Sequence, residues 1–131
     1  GSEMCIRDRP RRLKELGSYA FYSSALKKIT VYGKVELGET FKYCKKLKTV
    51  VLKEGVKELG ELVFHQCPKL RSVTVPKSVK SLVCIYDNIF YYRGLKCNLS
   101  KLTIKTPKNS EMYKERKFLK KRYKIKVKVI K

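Results

Sequence analysis

A short apolar pattern that recurs along the chain constrains the fold more than any other feature of this sequence. The pattern reads L-x-x-V-x-V or a close variant, and its last positions alternate apolar and polar residues, which predicts one short β-strand per copy. A phenylalanine precedes each copy, at Phe21, Phe41, Phe64 and Phe90. The four copies are Leu26-Ile29-Val31, Leu47-Val50-Leu52, Leu70-Val73-Val75 and Leu99-Leu102-Ile104.

A repeat of about twenty to thirty residues with one strand per unit predicts a solenoid, because no single unit can bury its own apolar face. Stacked units form a parallel sheet over one continuous core. Cys44 and Cys67 follow Phe41 and Phe64 by three residues, so they occupy equivalent inward positions. We predict that both are buried thiols and not a disulfide or a metal site, since buried cysteine packs as a small apolar residue.

Two segments carry a resemblance to a known family: LKELGSYAFYSSALKKITVYGKV and KELGELVFHQCPKLRSVTVPKSVKSL. They resemble BspA-like leucine-rich repeats, and the tail TPKNSEMYKERKFLKKRYKIKVKVI is similar to the closing segment of such arrays. The resemblance implies an α/β solenoid, a leucine-rich-repeat coil with one short parallel strand per repeat and a C-terminal helix–strand cap. It also implies a binding module, often for adhesion, that is secreted or exposed on the cell surface.

The chain divides into three parts on this reading: a leader at 1–12, leucine-rich repeats at 13–107 and a basic cap at 108–131. Gly1-Ser2 looks like a tag-removal scar, and SEMCIRDR resembles a translated sequencing-adapter artefact. Residues 1–12 have no apolar signal-peptide core, and no stretch is long enough to span a bilayer, so a cytoplasmic location stays open beside the secreted one. The sequence does not indicate an oligomeric state.

Catalysis is not predicted. His65 is the sole histidine, and no serine or acidic residue forms a triad-like pattern with it. The five cysteines contain no C-x-x-C pair, so no cofactor or metal ion is predicted.

The outward residues of the strands form the first candidate site, because strand side chains alternate between two faces and equivalent residues align in ladders. A protein partner is the predicted ligand of this strand face. An alternative is that threonine simply suits an exposed strand. The predicted outward residues are Lys28, Thr30, Tyr32, Thr49, Val51, Lys53, Ser72, Thr74, Pro76, Lys101, Thr103 and Lys105, of which all but Pro76 are predicted to bind.

The cations of the tail form the second candidate site. The chain carries a net charge of +22, and residues 105–131 hold twelve basic residues against two acidic ones. Such a surface attracts nucleic acid, a ribonucleoprotein or an anionic glycan. The alternative is that Lys124, Lys126 and Lys128, which alternate with apolar residues, protect an edge strand from aggregation. The predicted polyanion-binding residues are Lys117, Lys120, Lys121, Arg122, Lys124, Lys126 and Lys128.

Two hypotheses therefore remain, and the first is favoured. One is a protein-interaction or adhesion module that uses the strand face and binds in a salt-tolerant way. The other is a polyanion binder that uses the basic cap and depends steeply on salt. The sequence shows no helix-turn-helix, zinc-finger or RNP-type motif, so any nucleic-acid contact is expected at the backbone.

Overall fold

A computed structural model describes the backbone of residues 3–7 and, with their side chains, residues 26–32, 41, 44–57, 67–80 and 101–130. Its strands form one sheet of six parallel strands that follow each other in chain order. Two short helices lie between the last two strands. The elements are β1 (Glu3–Arg7), β2 (Lys28–Tyr32), β3 (Thr49–Leu52), β4 (Ser72–Thr74), β5 (Thr103–Pro107), α1 (Glu111–Lys114), α2 (Arg116–Tyr123) and β6 (Lys126–Ile130).

The central strands β2, β3 and β4 stand in the register that the repeat predicts. Lys28 lies beside Thr49, and Thr49 lies beside Ser72. The inward positions of these strands are almost wholly buried and belong to one apolar cluster that runs through all the coils. The predicted solenoid is confirmed, and its core along these strands consists of Ile29, Val31, Val50, Leu52, Val73 and Val75.

The register of β5 differs from the prediction by two residues. The sequence pattern places Leu102 beside Val73, whereas the structure pairs Ile104 with Val73. Because the side-chain period of a strand is two, a two-residue shift leaves every side chain on its predicted face. The longer spacing between Phe90 and the fourth copy is the feature of the sequence that distinguishes this repeat from the others.

The turn after β3 binds directly to the turn after β4. Gly55 adopts a φ of 110°, which only glycine reaches without steric cost, and its N–H donates to Ser78 Oγ at 3.0 Å. The Ser78 hydroxyl in turn donates to the carbonyl oxygen of Val56 at 2.7 Å. Val56 and Val79, the equivalent valines of the two coils, are both buried. Neighbouring coils are therefore joined by hydrogen bonds outside the sheet as well as within it.

The predicted inward cysteines are confirmed as buried free thiols. Cys44 is 4% exposed and Cys67 is wholly buried. The Cys67 thiol donates to the carbonyl oxygen of Phe41 at 3.1 Å, which links one coil to the preceding one. Phe41 itself has no exposed surface.

We expect Cys44 and Cys67 to resist alkylation in the folded protein and to react rapidly once it is unfolded, because a buried thiol is shielded from both water and reagent. Mass spectrometry of digested, iodoacetamide-treated protein measures each cysteine separately. Labelling of Cys44 or Cys67 at the rate found in denaturant would contradict the structure.

The cap begins with a buried polar cluster that also starts α1. Thr106 Oγ1 donates to the carbonyl oxygen of Val75 at 2.8 Å and lies 2.6 Å from Ser110 Oγ. Since the threonine proton is already committed, Ser110 donates to Thr106, and its oxygen accepts from the N–H of Tyr113 at 3.0 Å. Ser110 is thus a side-chain N-cap. Both hydroxyls are buried and satisfied.

The last strand begins later than the alternation of Lys124, Lys126 and Lys128 predicts. Lys124 is not in the strand: it ends α2 in the left-handed conformation, with φ 63° and ψ 21°. Val129 lies on the core side of the last strand, beside Thr106, but it is 50% exposed, whereas Ile125 is wholly buried. The left-handed residue is needed because the chain must reverse from α2 into β6.

We expect Lys124→Gly to stabilise the protein by about 0.5 to 1 kcal/mol, since glycine adopts the left-handed conformation without the steric penalty of a Cβ. Thermal unfolding monitored by circular dichroism measures the effect. Lys120→Gly, which places the same residue inside α2, is the control and is expected to destabilise by about 1 kcal/mol. A lower melting temperature for Lys124→Gly would contradict the assigned turn.

The remaining predictions fall at the start of the chain or outside the described residues. Within the predicted leader, Glu3–Arg7 forms a strand that pairs in parallel with β2, where the sequence predicts no element. Several predicted positions lie outside the described residues: Phe21, Phe64, Phe90, His65 and Leu99.

Candidate interaction surface

The outward residues of the five strands from β2 to β6 form straight rows across the sheet. The register aligns Lys28, Thr49, Ser72, Thr103 and Lys126 in one row. A second row contains Thr30, Val51, Thr74, Lys105 and Lys128. Neighbouring strands lie about 4.8 Å apart, so each row presents a side chain at that interval. We call the part of these rows from β2 to β5, together with the outward residues Tyr32, Lys53 and Lys101 at its margins, the strand face.

Most of the predicted strand-face residues are accessible. Lys53, Lys101 and Lys105 are exposed, and the other accessible members are partly exposed: Lys28, Tyr32, Thr49, Val51, Ser72, Thr74 and Thr103. Hydroxyl groups occupy the middle of the face, and lysines lie at its margins, at Lys28, Lys53, Lys101 and Lys105.

Two predicted members of the face are not accessible. Thr30 is only 9% exposed and lies on a strand that pairs with β1 and β3. Pro76 is buried, and it follows the end of β4 where the chain turns toward Ser78. The expectation that these two side chains are exposed is therefore wrong.

The structure joins part of the second predicted site to the first. Lys126 and Lys128 of β6 are exposed and continue the two rows of the strand face. Lys128 lies directly beside Lys105 of β5. Directly opposed like charges on neighbouring strands repel each other, so an anion bound at this corner would reduce the repulsion between the two lysines.

The other predicted polyanion-binding residues lie on the opposite side of the sheet. Leu119 of α2 is buried in the same cluster as Ile104 and Ile125, so α2 covers the core side of the sheet. The cations of this helix are exposed and point away from that core: Lys117, Lys120, Lys121 and Arg122. Six of the seven residues predicted as one site therefore lie on two separate cationic surfaces, which chain order alone does not reveal. The seventh, Lys124, is exposed at the C-cap of α2.

Few carboxylates neutralise these cations in the described part of the chain. Glu111 pairs with Lys114 at 3.1 Å on the exposed surface, which contributes little to stability. Glu54 accepts from the N–H of Lys77 at 3.1 Å, in the turn that follows β3. Both rows from β2 to β6 lack an acidic residue. This face is thus positively charged, with hydroxyls in its middle and lysines at its border.

Two aromatic contacts, which sequence analysis missed, order arginines of the cap. The guanidinium of Arg116 lies 4.1 Å from the centre of the Tyr113 ring, and that of Arg122 lies 5.5 Å from the Tyr123 ring. The i,i+3 spacing of Tyr113 and Arg116 is the signal that indicates the first contact.

Neither a metal-ligand cluster nor a membrane-spanning helix is seen in the described ranges. No three histidine, cysteine or acidic side chains come together there, and no helix there is long and apolar enough to cross a bilayer.

The fold and this surface define a class of protein: a repeat solenoid whose parallel strands expose one continuous face. The sequence profile of the BspA type leucine-rich repeat region, which spans six copies, matches residues 8–96 and 39–127. The chain belongs to this family. Searches of curated proteins and of solved structures give no match.

Proposed function

We propose that this chain is a non-catalytic binding module that holds a protein partner on its strand face, for protein–protein interaction or adhesion. Leucine-rich-repeat modules of this family generally mediate protein interactions. The observation that supports the choice of face is the in-register pairing of β2 to β6, which aligns accessible side chains in two rows. A regular rigid surface lets a partner bind without ordering the protein first.

The middle of the strand face is expected to contribute most to this binding. Thr49, Val51, Ser72 and Thr74 are partly exposed, and they offer hydroxyls and one apolar side chain on rigid strands. The lysines at the border then select an acidic partner and accelerate association more than they add affinity.

The experiment compares proteins cross-linked to the wild-type chain with those cross-linked to two arginine variants. Thr74→Arg places a long side chain in the centre of the strand face, and Lys57→Arg is an exposed control outside the rows. We expect Thr74→Arg to lose a specific partner at both 0.05 and about 0.5 M salt, conditions that separate contact from charge attraction. Retention of every partner by Thr74→Arg would overturn the proposal.

A second candidate function is the binding of a polyanion, such as nucleic acid, a ribonucleoprotein or an anionic glycan. The observation that favours it is that all seven predicted cap cations are exposed. Such binding is expected to be directed to the polymer backbone and to weaken steeply with salt. Because most of these cations are divided between two surfaces, the test of this candidate must change each surface in a separate variant.

A further inference from the structure

The strand β6 leaves one of its edges open in the described part of the chain. The N–H of Lys126 donates to the carbonyl oxygen of Leu102 at 3.2 Å, so Lys126 and Lys128 direct their backbone groups toward β5. Alternate residues of a parallel strand bond to opposite neighbours, and the backbone groups of Val127 and Val129 therefore point away from β5. In the sheet of the described residues, β6 stands last and pairs with β5 alone.

The two faces of this edge differ in chemistry. Lys126 and Lys128 are exposed on the same side of the sheet as the strand face, and Val127 and Val129 lie on the core side. Val129 is 50% exposed, yet its partner in β5, Thr106, is wholly buried. At the level of Thr106 and Val129, the packing on the core side of the sheet thus ends between β5 and β6. An additional strand with an apolar residue at this level would cover Val129.

The lysines determine which additional strand is accepted. A second copy of β6 would bring lysine beside lysine, which is unfavourable, so edge protection accounts for Lys126 and Lys128. It does not account for Lys105, which lies on an interior strand directly beside Lys128. Three cations on two neighbouring strands therefore favour a strand that carries carboxylates on the same face.

We infer that β6 accepts an extended segment of an acidic protein partner as a seventh strand. The segment alternates aspartate or glutamate with apolar residues. Its carboxylates lie beside Lys126 and Lys128, its apolar residues contact Val127 and Val129, and its backbone bonds to the open groups of those valines. This site goes beyond the proposed function, because it uses the edge of the sheet and not the strand face from β2 to β5.

The test uses the full chain and an acetylated, amidated peptide of alternating glutamate and valine, followed by fluorescence polarisation. Two further peptides carry backbone N-methyl groups: one peptide is methylated at every glutamate, and the other is methylated at every valine. Strand addition places only one of these sets of N–H groups against β6, so we expect one methylated peptide to bind about tenfold more weakly and the other to bind normally. Equal binding of the two would overturn the inference, since charge attraction does not distinguish them.

Variants of the edge give an independent measurement. Val129→Pro removes an N–H that faces the open edge and keeps the bonds to β5, so the fold is expected to persist. Val129→Thr keeps the N–H and the β-branched shape and is the matched control. We expect Val129→Pro to weaken peptide binding about five- to tenfold relative to Val129→Thr, with similar melting temperatures. If Val129→Pro does not fold, the methylated peptides decide the question on the unaltered protein.

Charge reversal tests the chemistry of the partner. In the double variant Lys126→Glu and Lys128→Glu, we expect the protein to prefer a lysine–valine peptide over the glutamate–valine peptide of the same length. A protein that binds heparin fragments through these lysines, but binds all three acidic peptides alike, would overturn strand addition and assign the cations to a polyanion.

Discussion

Replacing Phe41 with alanine is expected to lower the free energy of unfolding by about 3 to 5 kcal/mol. Phe41 has no exposed surface and lies in the continuous core of the solenoid. Its ring occupies a coil that has neighbours on both sides, so the removed volume leaves a cavity that neither neighbour fills completely. A loss of this size is a large fraction of the total stability of a domain.

Thermal unfolding measures this loss as a decrease of about 10 °C or more in the melting temperature. Lys48→Ala changes an exposed residue of the same coil and is the control, with an expected change below about 0.5 kcal/mol. The Phe41 carbonyl oxygen keeps its bonds from Cys67 and Cys44 in the variant, so the measured effect belongs to the ring. A shift equal to that of Lys48→Ala would contradict the placement of Phe41 in the core.

The repeat predicts the fold closely because the same physical requirement recurs in every coil. Ile29, Val50 and Val73 occupy one inward row, since each strand must bury the same alternate positions against its neighbours. Cys44 and Cys67 are buried for the same reason, as thiols that pack as small apolar groups. Periodicity therefore predicts the inward positions of β2 to β4 and of these cysteines, for aliphatic residues and thiols alike.

Register and exposure at the end of the array are not predictable in this way. The two-residue shift of β5 preserves the apolar alternation, so the sequence pattern fits both alignments equally well. Val129 alternates correctly with its neighbours, but its exposure depends on whether any element covers the core side of the last strand. Lys124 fits a strand pattern by alternation, and only the reversal of the chain after α2 excludes it from β6.

The sequence groups the cations of the candidate site differently from the structure. Order along the chain groups the cations of α2 with those of β6, because they are adjacent in sequence. The structure places Lys126 and Lys128 beside the strand face. It places Lys117 and Lys121 on the exposed side of α2, across the core from the strand face. The crossover between β5 and β6 has this effect here, because α2 covers the core side of the sheet while Lys105, Lys126 and Lys128 are exposed on the other side.

Polyanion affinity is expected to depend on only one of these two cationic surfaces. A rigid polymer cannot contact both sides of the sheet at once. We expect the contact on the strand side, where Lys105, Lys126 and Lys128 lie on two adjacent strands without an acidic residue in their rows.

The decisive comparison is between two triple variants with the same change in net charge. Changing Lys105, Lys126 and Lys128 to glutamate is expected to flatten the dependence of log K for duplex DNA on log salt by about 2.7 units, if each lysine meets one phosphate. Changing Lys117, Lys120 and Lys121 to glutamate alters the overall field equally but leaves the strand side intact, so its slope is expected to change by less than about one unit. Both variants retain Ile104, Leu119 and Ile125 in the core, and circular dichroism checks that they fold. A larger effect from the helix variant would move the polyanion site to the far side of the cap, and equal effects would mean that the chain attracts polyanions through its net charge alone.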